Sequence, residues 1–327
     1  MLRSVSAAIE HLPLARPFRI SRGVKTVADV VTVKIGQGDV VGAGEAVPYS
    51  RYGETVESVL AQIGPVEAAL IDGATRDEVQ SLLPAGAARN AVDCALWDLE
   101  ARLAGKPLAD TILGGPLRPT VTAMTISLDT PDKMGEAARA LSSVELVKVK
   151  VNDEAPELAL RAVRDALPTM KLIVDPNESW NMALLERLQP LLRDLAIDFV
   201  EQPLPAEDDH VLEGFEPLVP ICADESCHTA DDLEVLARRY GMVNIKLDKT
   251  GGLTEALKLY EAARARDFGV MIGCMICSSL SIAPALLVAA RTDYADLDGP
   301  LWLSADRPGG VALSGGRLTP PAPGFWG

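Results

Sequence analysis

Positive charge is the first shortage in this 327-residue chain: 31 Lys and Arg stand against 46 Asp and Glu, a net charge of −15 at pH 7. Such a deficit opposes phosphate backbones and anionic lipid surfaces, which argues against nucleic acid and membranes as partners. Cysteine is sparse too. Five thiols, Cys94, Cys222, Cys227, Cys274 and Cys277, in a chain this long read as buried residues of a reducing compartment rather than a disulfide framework. Residues 1–16 hold no apolar core of signal-peptide length followed by a small-residue cleavage site, which points to the cytoplasm. His11, His210 and His228 lack the paired spacing of a metal site, and Cys274-x-x-Cys277 has no second cysteine pair to complete a zinc site. One uncharged run, residues 270–290, is long enough to span a bilayer. Gly273, Ser278, Ser279, Ser281 and Pro284 interrupt it, so it reads as a buried strand followed by a buried helix.

What is present is a globular composition, 48% hydrophobic and 24% charged, at a length that suits about two domains. From residue 120 onward, short β-branched runs alternate with Gly or Pro breaks and stretches of helical spacing. The runs are residues 120–126, 146–151, 172–174, 197–200, 220–223, 243–247, 270–272 and 294–297, with helices expected at 156–167, 183–195, 230–240 and 254–266. Positions near the strand ends, Thr125, Lys150, Asp175, Glu201, Asp224, Lys246, Cys274 and Asp298, recur every 22 to 28 residues. That period suits one strand and one helix per unit, and eight units close a parallel barrel. A doubly wound open sheet is the competing layout, but there is no G-x-G-x-x-G. No clear helix follows Asp298, so the last unit is a bare strand and a tail. Residues 1–115 read as a smaller α+β domain: runs 30–35 and 40–46 flank Gly36-Gln37-Gly38 as a hairpin, and helices follow at 54–71 and 88–103.

Catalytic side chains of such a barrel sit at the C-terminal ends of its strands. In the second strand Lys148 and Lys150 alternate with Val147 and Val149, which puts both ammonium groups on one face; a solvated edge strand shows the same pattern. Strands three to five end in Asp175, Glu201 and Asp224. At a strand spacing of about 4.8 Å these carboxylates repel unless a cation joins them, and an all-oxygen set suits Mg²⁺ or Mn²⁺. Helix capping is the competing explanation for Asp175 and Asp224, but not for Glu201, which precedes Gln-Pro. Lys246 ends strand six, opposite strand two in a ring of eight, so a substrate held on the metal would have a lysine on each face. Strand eight ends in Asp296-Leu297-Asp298, two carboxylates on one face suited to a cationic group such as an α-amino group.

In order along the chain, KVK (148–150), DPNESW (175–180), EQPLP (201–205), ADES (223–226), NIKLDKTGG (244–252), GCM (273–275) and DLDGP (296–300) resemble motifs of the enolase superfamily, muconate-lactonizing subgroup. Within it the chain is most similar to the dipeptide epimerases, those acting on L-Ala-D/L-Glu in particular. PAGAARNAVDCALWDLEARL (84–103) extends the likeness over most of the sequence. The resemblance implies a (β/α)7β modified TIM barrel over residues 116–304, an N-terminal α+β capping domain over 1–115, and a tail from about residue 305 that packs back on the cap. It also implies Mg²⁺ held by Asp175, Glu201 and Asp224, with Lys150 and Lys246 as the acid/base pair. Lys148 would bind the substrate carboxylate, and Asp296 and Asp298 its ammonium. Arg22 and Tyr52 fall in capping loops that would close over the barrel, where Arg22 suits a glutamyl side chain, although an ordinary surface arginine fits the sequence as well. Thr125 is either a substrate hydrogen-bonding group or a plain strand threonine. No His-Asp dyad replaces Lys246, which argues against the mandelate-racemase-like branch.

The chemistry implied is removal of a proton α to a carboxylate, through an enediolate that a metal and nearby cations stabilise. A lysine acts as base only when neutral, and Lys148 with the metal is expected to lower the Lys150 pKa. Proton removal on one face and return on the other inverts a dipeptide such as L-Ala-D-Glu or L-Ala-L-Glu, a reaction that suits recycling of murein peptides. An N-acylamino acid racemase, an o-succinylbenzoate synthase and a muconate-type cycloisomerase are rivals on the same scaffold, and a silent peptide-binding protein is the non-enzyme rival. Asp296-x-Asp298 favours a substrate with a free ammonium. The oligomeric state is open at this level, a homo-oligomer included.

Overall fold

The computed structural model describes residues 2–21 and 23–327. Strands Ser4–Ile20, Gly23–Gln37 and Val40–Ala46 form an antiparallel sheet in that order. Val31, Val33 and Ile35 alternate into a core that helix Ala87–Ala104 covers. Gly42 and Gly44 permit this packing, because a Cβ at either would strike the helix backbone at Ala91, Ala95 or Leu99. The hairpin and this helix match their sequence signals, whereas Ser4–Ile20 has none: not one of its residues is fully buried, so its alternation is weak. The helix expected over 54–71 divides into Val56–Ile63 and Glu67–Ile71 around a 3-10 turn, Gly64–Val66, where Pro65 interrupts the hydrogen-bond ladder.

Eight parallel strands follow, each paired with the next in chain order: Met124–Ile126, Leu146–Lys150, Lys171–Asp175, Phe199–Glu201, Ile221–Ala223, Met242–Ile245, Gly269–Gly273 and Tyr294–Asp296. Ala123 N donates to Ala295 O at 2.8 Å and draws the last strand back to the start of the first. The run 120–126 is not one strand. Thr120–Val121 leaves the barrel and pairs with Arg317–Thr319, which in turn pairs with Ala312–Ser314. The helix expected at 230–240 shrinks to a 3-10 turn, Ala230–Asp232, and one α turn, Leu233–Leu236; Arg239 and Tyr240 turn instead to Asp209. The chain end lies against the antiparallel sheet, with Trp326 Nε1 donating to Ala43 O at 2.8 Å.

Inside the barrel Ala123, Leu146, Ile173, Phe199, Cys222, Met242 and Met271 form an apolar plug. One two-residue step along each strand places Thr125, Lys148, Asp175, Glu201, Asp224, Asn244 and Gly273 on the same inward face, one layer nearer the C-terminal rim. A dry floor under a charged layer therefore follows from period-two alternation. Residues 270–290 resolve into strand Gly269–Gly273 and the buried helix Ser279–Ala289, and among the described residues no helix is long and apolar enough to cross a membrane. All five cysteines are free thiols.

Candidate active site

The charged layer is one network. Lys148 Nζ lies 2.8 Å from Asp296 Oδ2, 2.9 Å from Asp175 Oδ2 and 2.7 Å from Glu201 Oε2, the last without hydrogen-bond geometry. Lys150 Nζ donates to Asp175 Oδ2 at 2.5 Å, and Lys246 Nζ to Asp224 Oδ2 at 2.7 Å. Lys249 holds the other side of Asp224, donating to Oδ1 at 2.7 Å. Four buried ammonium groups thus meet four buried carboxylates. Unpaired, any of these charges would be strongly destabilising so far from water; pairing lets the barrel hold them.

Burial alone would raise Asp175 and Asp224, but Lys148 and Lys150 around the first, and Lys246 and Lys249 around the second, hold both below the usual carboxylate range. Glu201 goes the other way. Burial, then the charge of Asp175, pushes it up to about 8. Lys148 and Lys246 are raised, since the carboxylates around them more than reverse the effect of burial. Three acids on adjacent strands do not all ionise comfortably with lysines alone.

Lys150 and Lys246, four strands apart in the ring, open into one cavity of about 440 Å³. Lys148, Thr125, Asp296 and Asp298 line it from the barrel, and Tyr49, Arg51 and Tyr52 line it from the loop after the antiparallel sheet. Asp298 Oδ2 accepts from Thr125 N at 3.0 Å, and burial together with the charge of Asp296 raises Asp298 to about 6. Asp296 gives Oδ2 to Lys148, while its buried Oδ1 has no hydrogen-bond partner among the described residues. Tyr52 packs edge-on against His228, ring centroids 4.7 Å apart. Lys148, expected at the substrate carboxylate, lines the cavity and is engaged there with three protein carboxylates. Arg22 lies outside the described residues.

Two residues in this region carry no role in the sequence reading. Arg51 Nε and Nη2 donate to Glu178 Oε2 and Oε1, both at 2.7 Å, and bind the 50s loop to the loop after the third barrel strand. Lys249 falls within the motif NIKLDKTGG, but its target was invisible from spacing. Among the described residues no three His, Cys, Asp or Glu side chains stand together as a metal cage, and lysines hold oxygens of Asp175 and Asp224. The donor set nevertheless suits a hard divalent cation: Asp175, Glu201 and Asp224 offer oxygen alone, from adjacent strand ends, and Glu201 Oε2 is buried without a hydrogen bond.

Residues 3–114 match the mandelate racemase / muconate lactonizing enzyme N-terminal domain, and residues 133–325 match the enolase C-terminal domain-like family. The chain belongs to the enolase superfamily. It is 49% identical over 320 residues to the L-Ala-D/L-Glu epimerase of Escherichia coli K12, covering 97% of this chain and 99% of the other. An N-acetyl-D-glutamate racemase of a Pseudoalteromonas species is 42% identical over 300 residues, 91% of this chain and 95% of that one. In three dimensions it superposes with TM-score 0.97 and 48% identity on an enolase family member from Agrobacterium tumefaciens with homology to dipeptide epimerases, which holds sodium and L-Ala-L-Glu; 99% of this chain and 100% of that one are covered. Two solved dipeptide epimerases of the same fold, 30% and 33% identical and each at TM-score 0.90, hold Mg and a dipeptide. These relatives are epimerases and racemases, and this enolase-superfamily chain is an isomerase.

Proposed function

We propose that the protein is a Mg²⁺-dependent dipeptide epimerase that inverts the α-carbon of the C-terminal residue of a dipeptide such as L-Ala-D-Glu or L-Ala-L-Glu. The observation that carries this reading is the presence of Lys150 and Lys246 on opposite sides of one cavity. An α-carbon between two amines loses its proton on one face and regains one on the other. Lys150 serves one face and Lys246 the other. The enediolate formed in between carries its charge on the former carboxylate, within reach of the Lys148 ammonium. Asp175, Glu201 and Asp224 would hold Mg²⁺, whose charge would stabilise the substrate carboxylate and compete with the lysines for the acids, favouring a neutral amine base. The unpartnered Asp296 Oδ1, with Asp298 beside it, receives the substrate ammonium. Thr125 orients Asp298 and Tyr52 closes the upper wall, while Arg22 would take the glutamyl side chain. Such a substrate fits cytoplasmic recycling of murein peptides.

The similarity to an N-acetyl-D-glutamate racemase favours a second reading, an N-acylated amino acid as substrate. An acylated nitrogen brings no positive charge to Asp296. Incubation of the purified protein in D₂O with Mg²⁺ and, separately, L-Ala-L-Glu, L-Ala-D-Glu and N-acetyl-D-glutamate decides between them. Deuterium at Cα of both dipeptides is the expected result; incorporation into the N-acetyl compound alone overturns the dipeptide reading.

A further inference from the structure

Lys249 is a buried lysine of this barrel mouth that does not border the cavity: its side chain has 0% exposure. An ammonium has three N–H donors, and three acceptors surround this one: the main-chain oxygen and Oδ1 of Asp224, and the main-chain oxygen of Asn244. No donor is left for a substrate. The remaining polar atoms of Asp224 are assigned as well, its N–H to Gln202 Oε1 at 2.8 Å and its Oδ2 to Lys246. Asn244, whose carbonyl Lys249 also holds, donates through Nδ2 to Glu201 Oε1 at 2.9 Å, so the same ammonium bears on a second acid of the trio.

We propose that Lys249 is a positioning residue that clamps Asp224 by Oδ1 and the main chain, so that Oδ2 is the oxygen offered to a divalent cation and to Lys246. This rests on the reading of Asp175, Glu201 and Asp224 as the cation's ligands. It assigns Lys249 no proton transfer. Groups that orient a ligand typically govern affinity by about 10- to 100-fold when removed, and loss of this clamp should act on cation binding before it acts on the fold.

The test is titration of the substrate-free protein with Mn²⁺, followed by calorimetry and by the electron paramagnetic resonance of free Mn²⁺, for wild type, Lys249→Met and Lys249→Gln. Far-UV circular dichroism and a thermal melt accompany each. Both variants remove the charge, and glutamine is too short to bridge all three acceptors. The expected result is saturable binding by wild type and at least about tenfold weaker binding by any folded variant. A folded variant that binds Mn²⁺ like wild type overturns the proposal. So does failure of both variants to fold, which would assign Lys249 to stability. Wild type that binds no Mn²⁺ overturns the ligand assignment itself, an outcome visible without either variant.

Discussion

Lys150 and Asp175 are register partners across the second and third barrel strands, and the ammonium of one donates to the carboxylate of the other at 2.5 Å. Lys246 and Asp224 repeat the pair on the far side of the cavity at 2.7 Å. Each amine has its own anchoring carboxylate, so each should act on one face of a bound substrate. Lys246→Ala should abolish solvent deuterium exchange from one stereoisomer of the dipeptide, with a fall of about 10²- to 10⁴-fold, and leave exchange from the other. Lys150→Ala should show the opposite pattern. Simultaneous loss from both stereoisomers in a folded single variant, measured by mass spectrometry, would count against two-sided proton transfer.

Asp298→Asn tests the ammonium site. With Asp298 next to the unpartnered Asp296 Oδ1, removal of its charge should raise the dipeptide KM by about tenfold or more, about 1.4 kcal/mol. The melting temperature and Mn²⁺ affinity should stay close to wild type. Equal loss of cation binding and turnover would refute the assigned role.

Chelation should stop the reaction. Dialysis against EDTA should abolish exchange into either dipeptide, and Mg²⁺ should restore it and raise the melting temperature, because a ligand bound by the native state alone stabilises it by mass action. Full activity in the chelated protein would remove the metal from the mechanism.

Gly273 makes room for Lys246. A Cβ at this position would lie 2.9 Å from the Asn244 amide and 3.0 Å from Lys246 Cε. Gly273→Ala should therefore displace the lysine and lower kcat by about 10- to 100-fold, with a stability loss of about 1–3 kcal/mol from overpacking. A variant with kcat within twofold of wild type would show that Lys246 does not need this space.

A pH-dependent joint links the antiparallel-sheet unit to the barrel. Asp93, on helix Ala87–Ala104, accepts from Thr254 N at 3.0 Å and Thr254 Oγ1 at 2.6 Å, and burial, partly offset by these bonds, raises it from 3.8 to about 6. A carboxyl raised in the native state stabilises that state fully below its unfolded pKa and loses the contribution as pH rises through the folded value. Wild type should thus lose roughly 2 kcal/mol relative to Asp93→Asn between pH 4 and pH 6.5. Paired urea titrations across that range check it; a difference that is flat or grows with pH would be contrary.

The barrel strands and the residue types at their ends were legible because a strand repeats every two residues and a strand-helix unit has a near-constant length. Leu146, Lys148 and Lys150 share a face in any such strand, and so do Phe199 and Glu201. Boundaries failed where a distant partner decided them, as when Thr120–Val121 joined Arg317–Thr319 and left the barrel. Ser4–Ile20 was silent because a strand without a buried residue has little alternation to read.

Charge balance, the eight-unit rhythm and the line of acids and lysines at strand ends belong to the amino-acid order alone, since they depend on composition and local periodicity. Which oxygen meets which ammonium does not. Thr125 holds Asp298 across 173 positions, Arg51 holds Glu178 across 127, and Lys148 at the cavity wall meets Asp175, Glu201 and Asp296. Those pairings exist because the sheet closes into a ring and the 50s loop of the antiparallel-sheet unit meets the barrel's loops. Closure brings the last strand beside the first and removes water from the rim, and only then does each buried charge acquire the partner it requires.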